Sequence, residues 1–179
     1  MGFYNELKSS FGRIVFDTSI LTHDCPCADE KYRQSLDFLL DSGKMKTVPD
    51  VFREAREYLQ SRDKELLEGV RANCVDTKKL DDQYRKYMTR IIPEARQTGV
   101  LNEKKRFPLT DIEIAALTLA SGHKYRTALL SGDRMLNELV QREIDNRNAR
   151  DRIVVYSFLT RSAWYVPYLE ERTKLRQVS

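Results

Sequence analysis

Residues 12–19 read GRIVFDTS: a short apolar run, Ile14 to Phe16, lies between a glycine and a polar Asp-Thr-Ser turn. Apolar residues at consecutive positions, with no helical or alternating spacing, indicate a strand buried on both faces that feeds into a loop. The same form returns later in the chain. Residues 125–130 make a second buried run ending in Ser-Gly-Asp, and Ile153 to Phe158 (IVVYSF) make a last one. Lys44 to Val48 is a further short strand candidate.

Helical patterns fill the spaces between these runs. Tyr32, Leu36, Leu39 and Leu40 recur at helical spacing ahead of Gly43, a natural C-terminal stop. Pro49-Asp50 opens another helix, with Val51, Ala55, Tyr58 and Leu59 on one face. Residues 109–121 (LTDIEIAALTLAS) form a strongly apolar helix with Thr110 or Asp111 at its start and Gly122 at its end, and Arg134 to Arg147 forms an amphipathic one. From about residue 61 to 99 the chain is highly charged and helical in period, punctuated by Pro93 and Gly99. It reads as two or more helices, in the manner of a projecting hairpin. Strands alternating with helices over short connections predict an α/β fold, a parallel sheet covered on both faces.

A chain of 179 residues suffices for one domain with a real core and one modest insertion. The expected single domain spans 1–179, with its core at about 12–158, the insertion at about 61–99 and a tail at 159–179. At 41% hydrophobic and 32% charged it is neither a disordered nor a membrane composition. The opening MGFYNELKSSFGR lacks the apolar stretch of a signal peptide, so a cytoplasmic protein is expected. There is no GxGxxG and no phosphate-binding Walker loop, which removes the usual support for a nucleotide cofactor. A net charge of +4 permits nucleic-acid binding without demanding it. Three cysteines are too few for a disulfide framework. Cys25, Cys27, Cys74 and His23 would make four zinc ligands, yet a lone C-x-C is a weak zinc signal and reduced thiols are the simpler reading.

In open parallel sheets, ligands gather outside the carboxyl ends of the strands. Asp17 and Asp133 stand there, Glu54 lies one turn into the helix after the second strand, and Asp111 opens a helix that must pack on the sheet. Crowded carboxylates repel one another and lose hydration, and a divalent cation removes that conflict. All-oxygen ligands suit Mg²⁺ or Mn²⁺, which activates water and stabilises displacement at phosphorus. Each acid also has an ordinary structural reading. Asp17 would cap its own turn, Asp111 would answer a helix dipole, Asp133 would cap the helix starting at Arg134, and Glu54 or Glu57 would pair with Arg53 or Arg56.

The four segments IVFDTSIL (14–21), VPDVFREA (48–55), LTDIEIAALTLA (109–120) and TALLSGDRML (127–136) together resemble the PIN-domain nucleases. That family carries an Asp after the first strand, a Glu preceded by a Val-x-x pattern, an Asp opening a later apolar helix and an Asp in a Thr/Ser-x-Asp turn. The matching positions are Asp17, Glu54 after Val51, Asp111, and Asp133 after Ser131. The resemblance implies a Rossmann-like three-layer fold with a central parallel sheet in the order 3-2-1-4-5. It also implies Mg²⁺- or Mn²⁺-dependent cleavage of single-stranded or structured RNA by these four acids as catalytic metal ligands. Thr18 or Ser19 would orient the first ligand, and Ser131 would support the site.

Two departures qualify the match. Gly132 stands where some relatives carry another acid, so a second metal site would be weak or built from Glu113 or Glu57. The stretch between Glu54 and Asp111 is longer than in the smallest members, the toxins of toxin–antitoxin pairs. Its helices resemble those of the minimal protein-only tRNA 5′-processing nucleases, whose protrusion mediates assembly. A homo-oligomer, and an antitoxin or RNA-processing partner, are the partners this implies, with no membrane.

Lys104, Lys105 and Arg106 precede Phe107 and the Asp111 helix, where they would hold phosphates beside the site or simply form a solvated loop. Arg134, next to Asp133, is placed to meet a scissile phosphate or to neutralise the acids. Tyr84, Tyr87 and Met88 recur at helical spacing and suit a core or a subunit interface. Arg142, Arg147, Arg150 and Arg152 are interspersed with acids, as on an ordinary surface. His23 and His123 are poor candidates for a general base. The competing function is a module that binds RNA or a protein partner without cutting.

Overall fold

The computed structural model describes residues 2–22, 30–59, 63–101, 108–159 and 164–167. A first helix, α1 (Gly2–Ser10), precedes the opening strand β1 (Arg13–Phe16), whose Ile14, Val15 and Phe16 are all buried. Next come α2 (Ser19–Thr22), α3 (Glu30–Asp41) and the two-residue strand β2 (Met45–Lys46). Gly43 ends α3 at φ +69°, a backbone conformation that side chains resist and glycine adopts freely. The chain continues through α4 (Pro49–Leu59), α5 (Lys64–Ala72), a 3₁₀ turn at Thr77–Lys79 and α6 (Asp82–Gln97). The remainder is α7 (Thr110–Ser121), β3 (Thr127–Ser131), α8 (Arg134–Asn146), β4 (Ile153–Leu159) and β5 (Trp164–Pro167).

These strands form one sheet in the order β2-β1-β3-β4-β5. The first four run parallel, and β5 is antiparallel to β4. The fold is therefore α/β with a parallel core, as expected, but the sheet departs from an all-parallel 3-2-1-4-5 order. Outside β2, the described residues form a single parallel bridge, Thr47 to Cys74. Thr47 N donates to Asn73 O at 3.1 Å, and Val75 N donates to Thr47 O at 2.9 Å. No strand grows from this bridge because its flanks are committed elsewhere: Asn73 caps α5 and Asp76 caps the 3₁₀ turn. The fifth strand instead comes from the tail, at the opposite edge.

From β1 the chain moves outward to β2 in one direction and to β3 and β4 in the other. Right-handed crossovers then put α3 on one face of the sheet and α7 and α8 on the other. Helix α1 joins the α3 side, where Phe3 and Phe11 both meet Tyr156 of β4 edge-on. The reversal of direction at β1 opens a crevice between the carboxyl ends of β1 and β3. Helix α7 is buried almost throughout, which explains its lack of a polar face. At its end Gly122 is required by packing rather than by φ, since a Cβ there would come within 2.4 Å of Ile153 Cδ1.

The charged segment expected to project does not do so. Leu66, Leu67 and Val70 of α5, and Tyr84, Tyr87, Ile91 and Ala95 of α6, are buried in the common core. Pro93 lies inside α6 rather than ending it. A proline removes one helical hydrogen bond, but Ile91 and Ala95 on either side are anchored in the core and the helix continues. The stop comes at Gly99, at φ +76°. Among the described residues no helix is long and apolar enough to cross a membrane.

Ile91 distinguishes packed from projecting helices. Ile91→Ala should lower the unfolding free energy by about 2–5 kcal/mol, the cost of a cavity in a closed core, measured by urea denaturation. A surface hairpin would lose well under about 1 kcal/mol.

Candidate active site at the carboxyl edge of the sheet

The backbone of β1 ends where Asp17 N donates to Leu130 O across the sheet at 3.4 Å, so the Asp17 carboxyl emerges beside the end of β3. It is buried, 4% exposed. Ser19 N donates to its Oδ1 at 2.8 Å, the Ser19 hydroxyl donates to the same oxygen, and the Ser131 hydroxyl donates to Oδ2. Both serine oxygens are also acceptors: Gly132 N donates to Ser19 Oγ at 2.6 Å, and Asp133 N donates to Ser131 Oγ at 2.9 Å. Each hydroxyl, taking an amide proton on one side, must turn its own proton toward Asp17. The Asp-Thr-Ser and Ser-Gly-Asp turns are thereby laced together through one carboxylate.

Burial pushes the Asp17 carboxyl up to about 7. The Ser131 and Ser19 hydrogen bonds oppose that rise, while the charges of Asp111 and Asp133 add to it. Three of the four expected acids thus act on one another. Among the described residues the fourth, Glu54, has no ion pair with an arginine, and Arg53 is engaged with Asp50. Glu54 turns inward instead. The Thr18 hydroxyl donates to its Oε2, and Thr110 Oγ1 donates to its Oε1 at 2.9 Å. Of the two residues that would orient the first-strand acid, Ser19 does so; Thr18 serves Glu54.

The structural alternatives separate cleanly. Asp133 is the N-cap of α8, its Oδ1 accepting from Met135 N at 2.7 Å and Leu136 N at 3.0 Å. Those bonds use one oxygen and leave Oδ2 without a protein partner among the described residues. Asp111 is not a cap: α7 starts at Thr110, Leu109 holds the cap position, and Asp111 is a partly buried residue of the first turn. Glu113 is pushed up to about 7 by burial and by the neighbouring Asp50, with Arg53 opposing, so it belongs to the Asp50 side of the site. Glu57 is exposed on α4, and Arg134 is exposed beside Asp133. Lys104, Lys105, Arg106 and Phe107 lie outside the described residues, as do His23, Cys25 and Cys27. Cys74 is a free, half-buried thiol at the sheet edge that burial pushes up to about 11, which disfavours the thiolate that zinc requires.

Two residues of the site escaped the sequence reading. Thr110 reads in sequence only as a helix start, and no local pattern signals a hydroxyl aimed at a glutamate 56 positions away. Asn137, fully buried one turn into α8, donates to Ser131 O at 3.1 Å and so holds the β3 end from below. Its spacing of four from Asp133 is the one available signal.

The donor set is all oxygen and of one charge sign, which fits a hard divalent cation. Among the described residues no three acids, histidines or cysteines form a ready-made metal cage. Mg²⁺ does not require one, since it retains water and is commonly held by one or two carboxylates together with substrate phosphate. Asp17 and the second Asp133 oxygen are the pair of oxygens that such a cation would find here. The chain matches no protein-family model, and no curated protein is significantly similar to it.

The raised Asp17 carboxyl has a thermodynamic signature. Its folded value lies above its unfolded one, so the metal-free protein is favoured while Asp17 stays protonated and loses stability as pH rises from about 4 through about 7. Asp17→Asn lacks this slope. In EDTA it should be more stable than the parent by roughly 2–4 kcal/mol at about pH 8, with the gain largely gone near pH 4, as read by urea denaturation.

Proposed function

We propose that this protein is a divalent-metal-dependent endoribonuclease of the PIN type. The observation that carries the reading is the buried Asp17 carboxylate, held by Ser19 and Ser131 and facing the charges of Asp111 and Asp133 in the crevice between β1 and β3. A fold gains nothing from three mutually repelling acids unless something positive completes them. Asp17 and Asp133 would hold Mg²⁺ or Mn²⁺ directly, with Asp111 and Glu54 reaching it directly or through water. When bound, such a cation would supply an activated water and neutralise charge building on the phosphate oxygens.

The residues divide the remaining work. Ser19 and Ser131 keep both Asp17 oxygens in place, so the ligand needs no reorganisation when substrate arrives. Thr18 and Thr110 fix Glu54 where it accepts a proton from a water at the scissile phosphate. Arg134, exposed beside Asp133, meets a non-bridging phosphate oxygen, with Lys104, Lys105 and Arg106 as further phosphate contacts. RNA is the substrate class that the family resemblance favours.

A second reading has its own support. Asp133 spends one oxygen on its helix cap, and the acids are not gathered into a cage. A module that binds RNA or a protein partner, an antitoxin or processing factor among them, without cutting would look similar.

Asp17→Asn should abolish Mn²⁺-dependent cleavage of RNA while the far-UV circular dichroism stays that of the parent; full activity in this variant sinks the nuclease reading. Ser131→Ala should retain the ligands but weaken Mn²⁺ binding about 10–100-fold, read by titration calorimetry. RNA binding with no cleavage under any divalent ion would favour the second reading.

A further inference from the structure

The opposite end of the sheet carries a second, chemically different feature. Below the amino end of β4 lies a cavity of about 490 Å³ whose walls include Tyr87, Leu119, His123, Arg147 and Arg152. Tyr87 Oη and His123 Nε2 are hydrogen-bonded at 2.9 Å, and the Arg147 guanidinium lies over the Tyr87 ring, 4.5 Å from its centre. Arg152 uses Nη1 to cap the carbonyls of Gly122 and His123 at 3.4 and 2.9 Å. Its Nε and Nη2 have no protein acceptor among the described residues.

One buried carboxylate organises the neighbourhood. Glu143, 3% exposed, meets Arg147 at 3.2 Å and Arg90 at 3.5 Å. Arg147 lines the cavity, whereas Arg90 lines a shallow groove on the exposed side of α6 together with Arg85, Lys86, Thr89 and Asp82. The two recesses therefore adjoin across Glu143. Five cations line them, Arg85, Lys86, Arg90, Arg147 and Arg152, against the carboxylates of Asp82, Asp151 and Glu143. Glu143 is already shared by two guanidiniums, so an excess of positive charge faces solvent.

We propose that the cavity and the α6 groove form one anion-binding exosite that takes the backbone phosphates of an RNA strand, remote from the carboxylate site. The inference rests on RNA as the substrate class. Its physical logic is electrostatic. A cleft of acids repels a polyanion until a cation is present, so binding strength has to come from elsewhere on the protein. Arginine forks presented at the rim of an apolar, aromatic-walled recess are suited to phosphate. The strand β3 alone, five residues rising about 3.3 Å from each to the next, separates the two ends of the sheet by at least about 13 Å. An RNA shorter than that separation cannot engage both ends.

The test uses the full chain and single-stranded RNA of about 15 nucleotides, with binding read by fluorescence anisotropy in EDTA across a salt series. Arg85 and Lys86 are exposed, so Arg85→Gln with Lys86→Gln leaves the fold intact, verified by thermal melting. The pair should weaken binding about tenfold at low salt and flatten the log–log salt slope by roughly 1.4, about 0.7 for each phosphate contact removed. Arg152→Gln should weaken binding in the same direction. In cleavage assays with Mn²⁺, KM should rise for the long RNA with kcat unchanged, while a dinucleotide, too short to span the two ends, shows no change. Absence of RNA binding by the parent chain, or variants with the parent's affinity and salt slope, overturns the exosite. Loss of binding in the variants alongside a parent that cleaves nothing keeps the exosite and removes the nuclease reading. Cleavage by the parent with unaltered variants does the reverse.

Discussion

Asp17 is a carboxylate that the fold buries at the one place where the parallel sheet changes direction, and the order around the crevice follows from keeping it there. Removing a charge from water is expensive, and the two serine hydroxyls recover only part of that cost. They work as hinges between two turns, each accepting an amide from the second and donating to the acid of the first. The Ser-Gly-Asp turn therefore has little freedom, and Asp133 is delivered with one oxygen committed to α8 and one to spare. Asn137, beneath Ser131, completes the support.

The same constraint explains the division of labour among neighbours. With Ser19 tied to Asp17, Thr18 faces the other way and meets Glu54 across from Thr110. Glu54 is thus positioned by both the first loop and the start of α7, linking elements otherwise separated in the chain. Helix α7, nearly all apolar, is the platform between them, and α6 covers it with Tyr84, Tyr87 and Ile91. The charged middle of the sequence is therefore structural support for the α7 side. Its exposed face is what remains available for a partner.

Charge is distributed along the sheet direction in a way that a net value of +4 conceals. The carboxyl edge holds Asp17 together with Asp111 and Asp133, whose charges act on the Asp17 carboxyl. The turn from α8 to β4 and the outer face of α6 hold arginines that share a single buried glutamate. The two ends of the sheet thus present fields of opposite sign.

Much of the fold is legible in the sequence. Ile14 to Phe16 announce a buried strand because consecutive apolar residues have no other stable use, and Asp17 and Asp133 follow strand ends because polar turns must. Helices α3, α4 and α8 are written in their apolar spacing and in Gly43, and α7 in its continuous apolar run. What the chain could not disclose were relations between distant segments. Ser131 reaches Asp17 across 114 residues, and that contact depends on the register of β1 against β3. Whether α6 projects or packs, whether the sheet edge beyond β2 holds a strand or one bridge, and which hydroxyl serves which acid were decided by the same kind of long-range packing. Periodicity and capping are set by neighbours within a turn or two, so sequence determines them. Partners across the sheet are chosen only when the whole core closes, and that choice belongs to the tertiary structure.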